Sequence, residues 1–377
     1  MIAILFGTGI TGLPVGAQEP APAMSLFPSE VTWAADLGAP PLAPPVVVGV
    51  RAFVALEPGV VSARSVTDGR ELWSTPLAVE GTPVASATLL VVPARGALHA
   101  ILADSGQTAW VAPVDPLTAP PLMVGGWLFA ATPGRLTAFR VTDGVAIWQR
   151  EFAEVRERPA AEGTTLYVPT ADGRLTALDV ASGRTLWEAR VGTSAGEPLA
   201  LSDRVYLGAG RDFVCLKADR GREDWRFAIG APIRGAPAFD DSHVYIVAMD
   251  NLLRAHDRTN GANRWKADLK YRPLAGPVVL GNAVVVAGMT TELRAFAAAT
   301  GAPAGKLVLP NAAPMQPAFI ASGGGGGLIL TVTGSPEGRW TLTAAAPPLP
   351  TISAAPLTVL PGTDVPLPAA WPPARSG

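Results

Sequence analysis

The chain has 377 residues, with 40 glycines, 38 prolines, only 16% charged side chains and a net charge of −2. That balance gives no basic footprint for nucleic acid, and outside the N-terminus no apolar run reaches the ~18 residues a transmembrane helix needs. So much glycine and proline asks instead for many tight turns.

Residues 1–30 open with MIAILFGTGITGLPVGAQEP, apolar through Ala17 and polar after it. This reads as a truncated secretory leader, with a small-residue cleavage site near Val15-Gly16-Ala17 and no basic n-region. Export is therefore expected. Gly7-Thr8-Gly9-Ile10-Thr11-Gly12 also satisfies GxGxxG, but a dinucleotide fingerprint needs a helix next, and Pro14 and a proline-rich stretch follow.

From residue 31 to 345 the chain is periodic. The clearest copy runs from Arg158 to Trp187: a leading proline (Pro159), a β-rich run (Leu166-Tyr167-Val168), a turn at Asp172-Gly173, an alternating strand (Leu175 to Leu178), a second turn at Ser182-Gly183, and a last strand carrying Trp187. Apolar alternation bounded by Asp/Gly turns marks short antiparallel strands. The leading proline recurs at Pro45, Pro83, Pro121, Pro159, Pro198, Pro237, Pro277 and Pro317, a period of about 39 residues. The second-turn glycine recurs at Gly69, Gly106, Gly144, Gly183, Gly221, Gly261 and Gly301. Four residues after the first six stand Trp73, Trp110, Trp148, Trp187, Trp225 and Trp265; after the seventh stands Gly305.

The count of strands predicts closure. The unit beginning at Pro317 has no Gly-x-x-x-Trp strand, whereas Trp33 lies in tryptophan register ahead of Pro45 with no repeat before it. The missing fourth strand is expected from Val31 to Leu37, making an all-β, eight-bladed propeller of four-stranded antiparallel blades whose last blade is completed by the N-terminal strand. Closure removes exposed sheet edges. In that last unit Gly338-Arg339-Trp340-Thr341-Leu342 is aligned with Gly173-Arg174-Leu175-Thr176-Ala177, placing Trp340 in a leucine slot.

Three features imitate chemistry. Gly192-Thr193-Ser194-Ala195-Gly196 matches GxSxG, yet it falls between blades and not on a strand-to-helix elbow. Cys215, the single cysteine, occupies the small-residue slot of Ala100, Ala138, Ala177, Ala255 and Ala295, which suits a small buried hydrophobe. His99, His243 and His256 fall in different blades with no ligand spacing. No metal, cofactor or catalytic residue is expected.

The pattern Leu-x-Ala-Leu-Asp-x-x-Ser-Gly-x-x-x-Trp, present from Leu175 to Trp187, resembles the PQQ-like propeller repeat over residues 31–345. In size and layout the chain is most similar to BamB-type outer-membrane assembly factors. That resemblance implies a non-catalytic periplasmic protein whose partners belong to the outer-membrane assembly machinery, though no lipobox cysteine stands near residue 17. The alternative within the superfamily is a quinone-dependent redox enzyme, or another enzyme using the central channel. The dehydrogenase branch implies vicinal cysteines, which one cysteine cannot supply.

Residues 346–377 contain nine prolines and only two charged residues, Asp364 and Arg375, and are expected to be an extended spacer. The resulting division is a leader and linker (1–30), the propeller (31–345) and a proline-rich tail (346–377). A monomer is expected. In a meander propeller, the connections between blades and the turns between second and third strands share one face. Charge gathers there in blades four to seven: Arg156, Arg158, Asp172, Arg174, Glu197, Arg211, Asp212, Arg234, Asp250, Lys270, Tyr271, Arg272 and Glu292. The candidate partner-binding residues for protein or peptide segments are Arg156, Arg158, Glu197, Arg234, Tyr271 and Arg272, Arg and Tyr being types enriched at hot spots.

Overall fold

The computed structural model describes residues 29–313, 315, 317–321 and 327–346; the expected leader and proline-rich tail lie essentially outside the described residues. Thirty-two strands form eight four-stranded antiparallel sheets. Blade 1 holds β2 (Val46–Val48), β3 (Arg51–Leu56), β4 (Val60–Ser65) and β5 (Glu71–Pro76). Six further meanders of the same kind follow in chain order. Every leading proline stands immediately before a first strand, where its missing N–H leaves no ladder position unfilled.

Blade 8 closes the ring. Its sheet order is β1 (Glu30–Asp36), β32 (Trp340–Ala346), β31 (Gly327–Gly334), β30 (Ala318–Ala321). The N-terminal strand therefore supplies the outer strand, as the repeat count requires. The register also copies the other blades: Trp33 faces Ala344 with a one-residue bulge beside it, as Trp187 faces Ala177. One alignment is corrected. Ala344, not Leu342, fills the small slot, so Trp340 lies two places further out and faces Gly334 at the end of a lengthened hairpin. The indole opposite requires a small partner, and this fixes the register whatever the length of the hairpin.

The core lies between blades. Eight buried clusters each straddle one pair of neighbours, for example Leu89, Val91 and Leu98 of blade 2 with Leu128, Ala130 and Phe139 of blade 3. The repeat tryptophan and the hairpin glycine turn out to be partners across these interfaces. A Cβ on Gly144 would lie 2.4 Å from the Trp110 ring, and φ there is +71°, so only glycine both makes the turn and admits the indole. Six of the seven indoles also donate to a carbonyl of the next blade: Trp33 to Val66, Trp73 to Ala103, Trp110 to Val141, Trp148 to Val180, Trp187 to Ala218 and Trp265 to Ala298, at 2.8–2.9 Å. Trp225 seats on Gly261 in the same way, but the corresponding carbonyl, Arg258, accepts from the buried Tyr206 hydroxyl at 3.0 Å.

Candidate functional site

The short first strands surround the axis, and the face carrying the inter-blade connections is set by backbone pairing. The connection leaving each fourth strand bonds the second-to-third-strand turn of its own blade, as in Val114 N–H to Gly96 O (3.0 Å) and Val191 N–H to Gly173 O (2.9 Å). Further on it bridges the next blade, as in Val79 with Ala94 and Ile233 with Ala248. Connections and these turns therefore do share one face.

On that face a cavity of about 380 Å³ touches five different blades, which only an axial space can do. Its lining divides in two. Blades 8, 1, 2 and 3 contribute Pro317, Pro44, Val46, Pro83, Pro121 and Met123, whereas blade 4 contributes Arg158. Of the residues that precede the leading prolines, Pro44, Thr82 and Arg158 line this mouth, and in the sequence that position is charged only in blades 4 and 5, as Arg158 and Glu197.

Beside the mouth a recess of about 270 Å³ is lined by Glu157, Glu197, Ile233, Arg234, Gly235 and Leu274. Arg158 approaches Glu197 at 4.0 Å, and its Nε is buried without a hydrogen-bond partner. Arg234 donates from Nε to the Leu274 carbonyl at 2.9 Å, which leaves the rest of its guanidinium for the recess. Burial pushes the Glu197 carboxyl above the usual range; Arg158 opposes the shift and Glu157 adds to it. Glu157 is raised by burial too, with Arg234 opposing. The two carboxyls hold their protons more tightly than fully solvated ones would. Such a recess offers guanidinium donors to carboxylates or backbone carbonyls of an incoming segment.

Arg158, Glu197 and Arg234 are thus gathered together. Arg156 instead forms a bidentate pair with Glu154 in its own connection, both bonds 2.9 Å. Tyr271 lays its ring where a Gly288 side chain would be and donates its hydroxyl to Val286 O at 2.7 Å, beneath Arg294. Arg272, next to it, is exposed. Glu157 was not among the expected residues; its signal was the alternation Arg156-Glu157-Arg158 just ahead of a leading proline. Asp172, Asp212 and Glu292 pair with Arg174, Arg226 and Arg294.

The features that imitate chemistry have structural surroundings. Ser194 lies in the connection between blades 4 and 5, its carbonyl accepting from Gly210 N–H. Cys215 is buried opposite Trp225, and burial pushes its thiol up to about 12. The His256 ring bonds the Gly261 carbonyl through Nδ1 (2.8 Å) and packs against Phe213 and Phe227. Among the described residues no three His, Cys, Asp or Glu side chains converge.

Fold and mouth together define an eight-bladed repeat propeller whose axial opening is apolar on one side and ionic on the other. The family model for the outer membrane protein assembly factor BamB matches residues 27–189 and 171–316, and the chain belongs to that family. BamB of Yersinia pestis is 28% identical over 250 residues, 63% of this chain; the match spans only 56% of that curated relative's length. Among solved structures, BamB from Moraxella catarrhalis is similar with a TM-score of 0.68 at 20% identity, covering 84% of this chain and 97% of that one. The quinohemoprotein alcohol dehydrogenase from Comamonas testosteroni reaches 0.67 at 13% identity, covering 89% and 78%. At such identities the structural likenesses show the shared fold alone.

Proposed function

We propose that this chain is a non-catalytic envelope scaffold that binds protein or peptide segments at the ionic side of its axial mouth, in the service of outer-membrane protein assembly. The carrying observation is the recess lined by Glu157, Glu197 and Arg234, with Arg158 approaching Glu197 at 4.0 Å from the mouth beside it. Family membership supplies the assembly context. In this reading the protein is exported, acts as a monomer peripheral to the outer membrane, and engages acceptor-rich segments through Arg158, Arg234 and the exposed Arg272, with Glu197 positioning Arg158. Arg156 and Tyr271 frame the arc from either side.

The test is a triple variant, Arg158→Ala, Arg234→Ala and Arg272→Ala, assayed for partner recovery from an envelope membrane fraction and for Tm. Lost recovery with an unchanged melt supports the arc. Unchanged recovery refutes it.

A further inference from the structure

The axial cavity is walled on the side of blades 8, 1, 2 and 3 by prolines and by side chains of the short first strands, among them Val46, Val84 and Leu122. Proline has no N–H, so the stretch of wall at Pro44, Pro83, Pro121 and Pro317 offers no donor from those residues. Arg158 of blade 4 is the one charged side chain in the described lining.

Other arginines on this face are occupied within the chain: Arg156 bonds Glu154 at 2.9 Å and Arg174 bonds Glu188 at 3.0 Å. Arg158 is not. Among the described residues its ionic neighbour is Glu197 at 4.0 Å, beyond hydrogen-bond range, and its Nε is buried without a partner. An arginine fork beside an apolar wall, with its Nε unused, is the complement of a carboxylate carried on an apolar body.

We propose that the axial cavity takes the free C-terminus of a partner polypeptide ending in an aliphatic residue, with the terminal carboxylate on Arg158 and the last side chain against the prolines, Val46, Val84 and Leu122. The inference rests on the protein-binding reading above and names the chemistry of the segment's end. In a last residue the carboxylate and the side chain leave the same Cα, so one residue meets both the guanidinium and the apolar wall. An internal Asp or Glu would instead bring backbone in on both sides. The N–H and C=O groups of both arms would then need partners within a space of about 380 Å³. A terminus brings a single chain. Its upstream backbone leaves over the neighbouring recess, where Arg234 bonds the Leu274 carbonyl through Nε and has its Nη groups for carbonyls of the segment. Glu157 and Glu197 line that recess and disfavour acidic residues just upstream.

The probe is an N-terminally labelled peptide, Ser-Gly-Ser-Gly-Val-Leu, bound to the full chain and read by fluorescence anisotropy. Saturable binding of the free acid is expected. It should weaken at least about tenfold for the C-terminal amide, for a peptide ending in Ser, and for Arg158→Gln with unchanged Tm. Arg272→Ala, outside the cavity lining, should bind the free acid as the native protein does. The amide comparison uses the native protein, so it decides even where Arg158→Gln folds poorly. Equal binding of acid and amide overturns the proposal, as does equal binding by native protein and Arg158→Gln, or no binding of either peptide. If acid and amide bind equally and the arginine triple variant loses both, the ionic arc stands and only the terminus falls. Isocaproate, which has the side chain and carboxylate without a backbone, should displace the peptide at least about tenfold less well than unlabelled peptide, since it offers Arg234 no carbonyl. Equal displacement would make the occupant a small carboxylic acid and overturn the proposal too.

Discussion

The interface between blades 4 and 5 and that between blades 7 and 8 are built on the same repeat yet held differently. At the first, Trp187 seats on Gly221, donates to Ala218 O at 2.8 Å and tilts against Tyr167, over a cluster drawn from both blades. At the second, Gly305 stands in the tryptophan slot, facing Ala295, and among the described residues the buried cluster contains no aromatic ring. Among the described residues, the strands of blade 8 contribute Ile329 and Ala345 to that cluster. The reason lies in the closure. An indole needs the hairpin between third and fourth strands of the next blade, and in blade 8 these strands, β32 and β1, come from opposite ends of the chain. No hairpin glycine exists there to receive it. Closing the ring with the N-terminal strand thus supplies one clasp, Trp33 on Gly69, and forgoes another.

The strongest way to break this comparison is to remove the closing strand. Deleting residues 18 to 40 should leave the edge of β32 unpaired and Gly69 without its indole, so that both sides of blade 8 lack a clasp. Loss of a cooperative melting transition, or aggregation, is the expected outcome. A full-length-like transition in calorimetry would show that the ring is held without β1.

Next in size is the clasp itself. Trp187→Ala should destabilise by about 3–5 kcal/mol through lost burial and a residual cavity, with a further ~1 kcal/mol from the unpaired Ala218 carbonyl. Urea unfolding measures it. A loss no larger than that of a surface substitution would mean that the clasped interface is no stronger than the seam.

The glycine side of the clasp gives a smaller effect with its own control. Gly221 has φ +66° and a Cβ there would lie 2.3 Å from the Trp187 ring; Gly338, in the blade 8 hairpin, has φ +81° with open space around it. Alanine at Gly338 should cost only the left-handed backbone, about 1–2 kcal/mol. Alanine at Gly221 should add ~1–3 kcal/mol of overpacking. Equal losses in urea titrations would show that the indole yields freely.

What the chain announces on its own follows from distance. Leading prolines, hairpin glycines and strand alternation are local devices, so their period, and with it the eight blades and the closing strand, is legible directly. That each glycine receives the previous blade's tryptophan is a contact more than thirty residues apart, invisible in one repeat, and only with it does Gly305 acquire a reason. Trp340 was misplaced because a lengthened hairpin shifts the local alignment while the Trp33–Ala344 pairing fixes the real one. Of the site, the loops' charge was legible, but its grouping was not. Whether Arg158 meets Glu197, or Tyr271 folds over Gly288, depends on side-chain direction at the mouth, which no spacing encodes.

The last difference between the two interfaces is electrostatic. The connection from blade 4 to blade 5 carries Glu197, whose carboxyl is raised by burial, whereas the sequence of the connection from blade 7 to blade 8 carries no Asp or Glu. A carboxyl whose folded-state pKa lies above its unfolded value binds its proton more tightly in the folded protein. Its contribution to stability is complete below the ordinary glutamate range and is lost as pH rises through the raised value. Glu197→Gln removes that titration while keeping the size and an acceptor for Arg158. Near pH 4 the variant should match the native protein. As pH rises it should become relatively more stable, because Glu197 then bears a poorly solvated charge. Glu157 titrates in the same direction, so the native protein should retain part of its pH dependence in the single variant and lose more in Glu157→Gln/Glu197→Gln. Paired urea titrations at pH 4, 5.5 and 7 measure the trend. A variant less stable than the native protein at pH 7 would show that the Arg158–Glu197 pair outweighs the burial of its carboxylate.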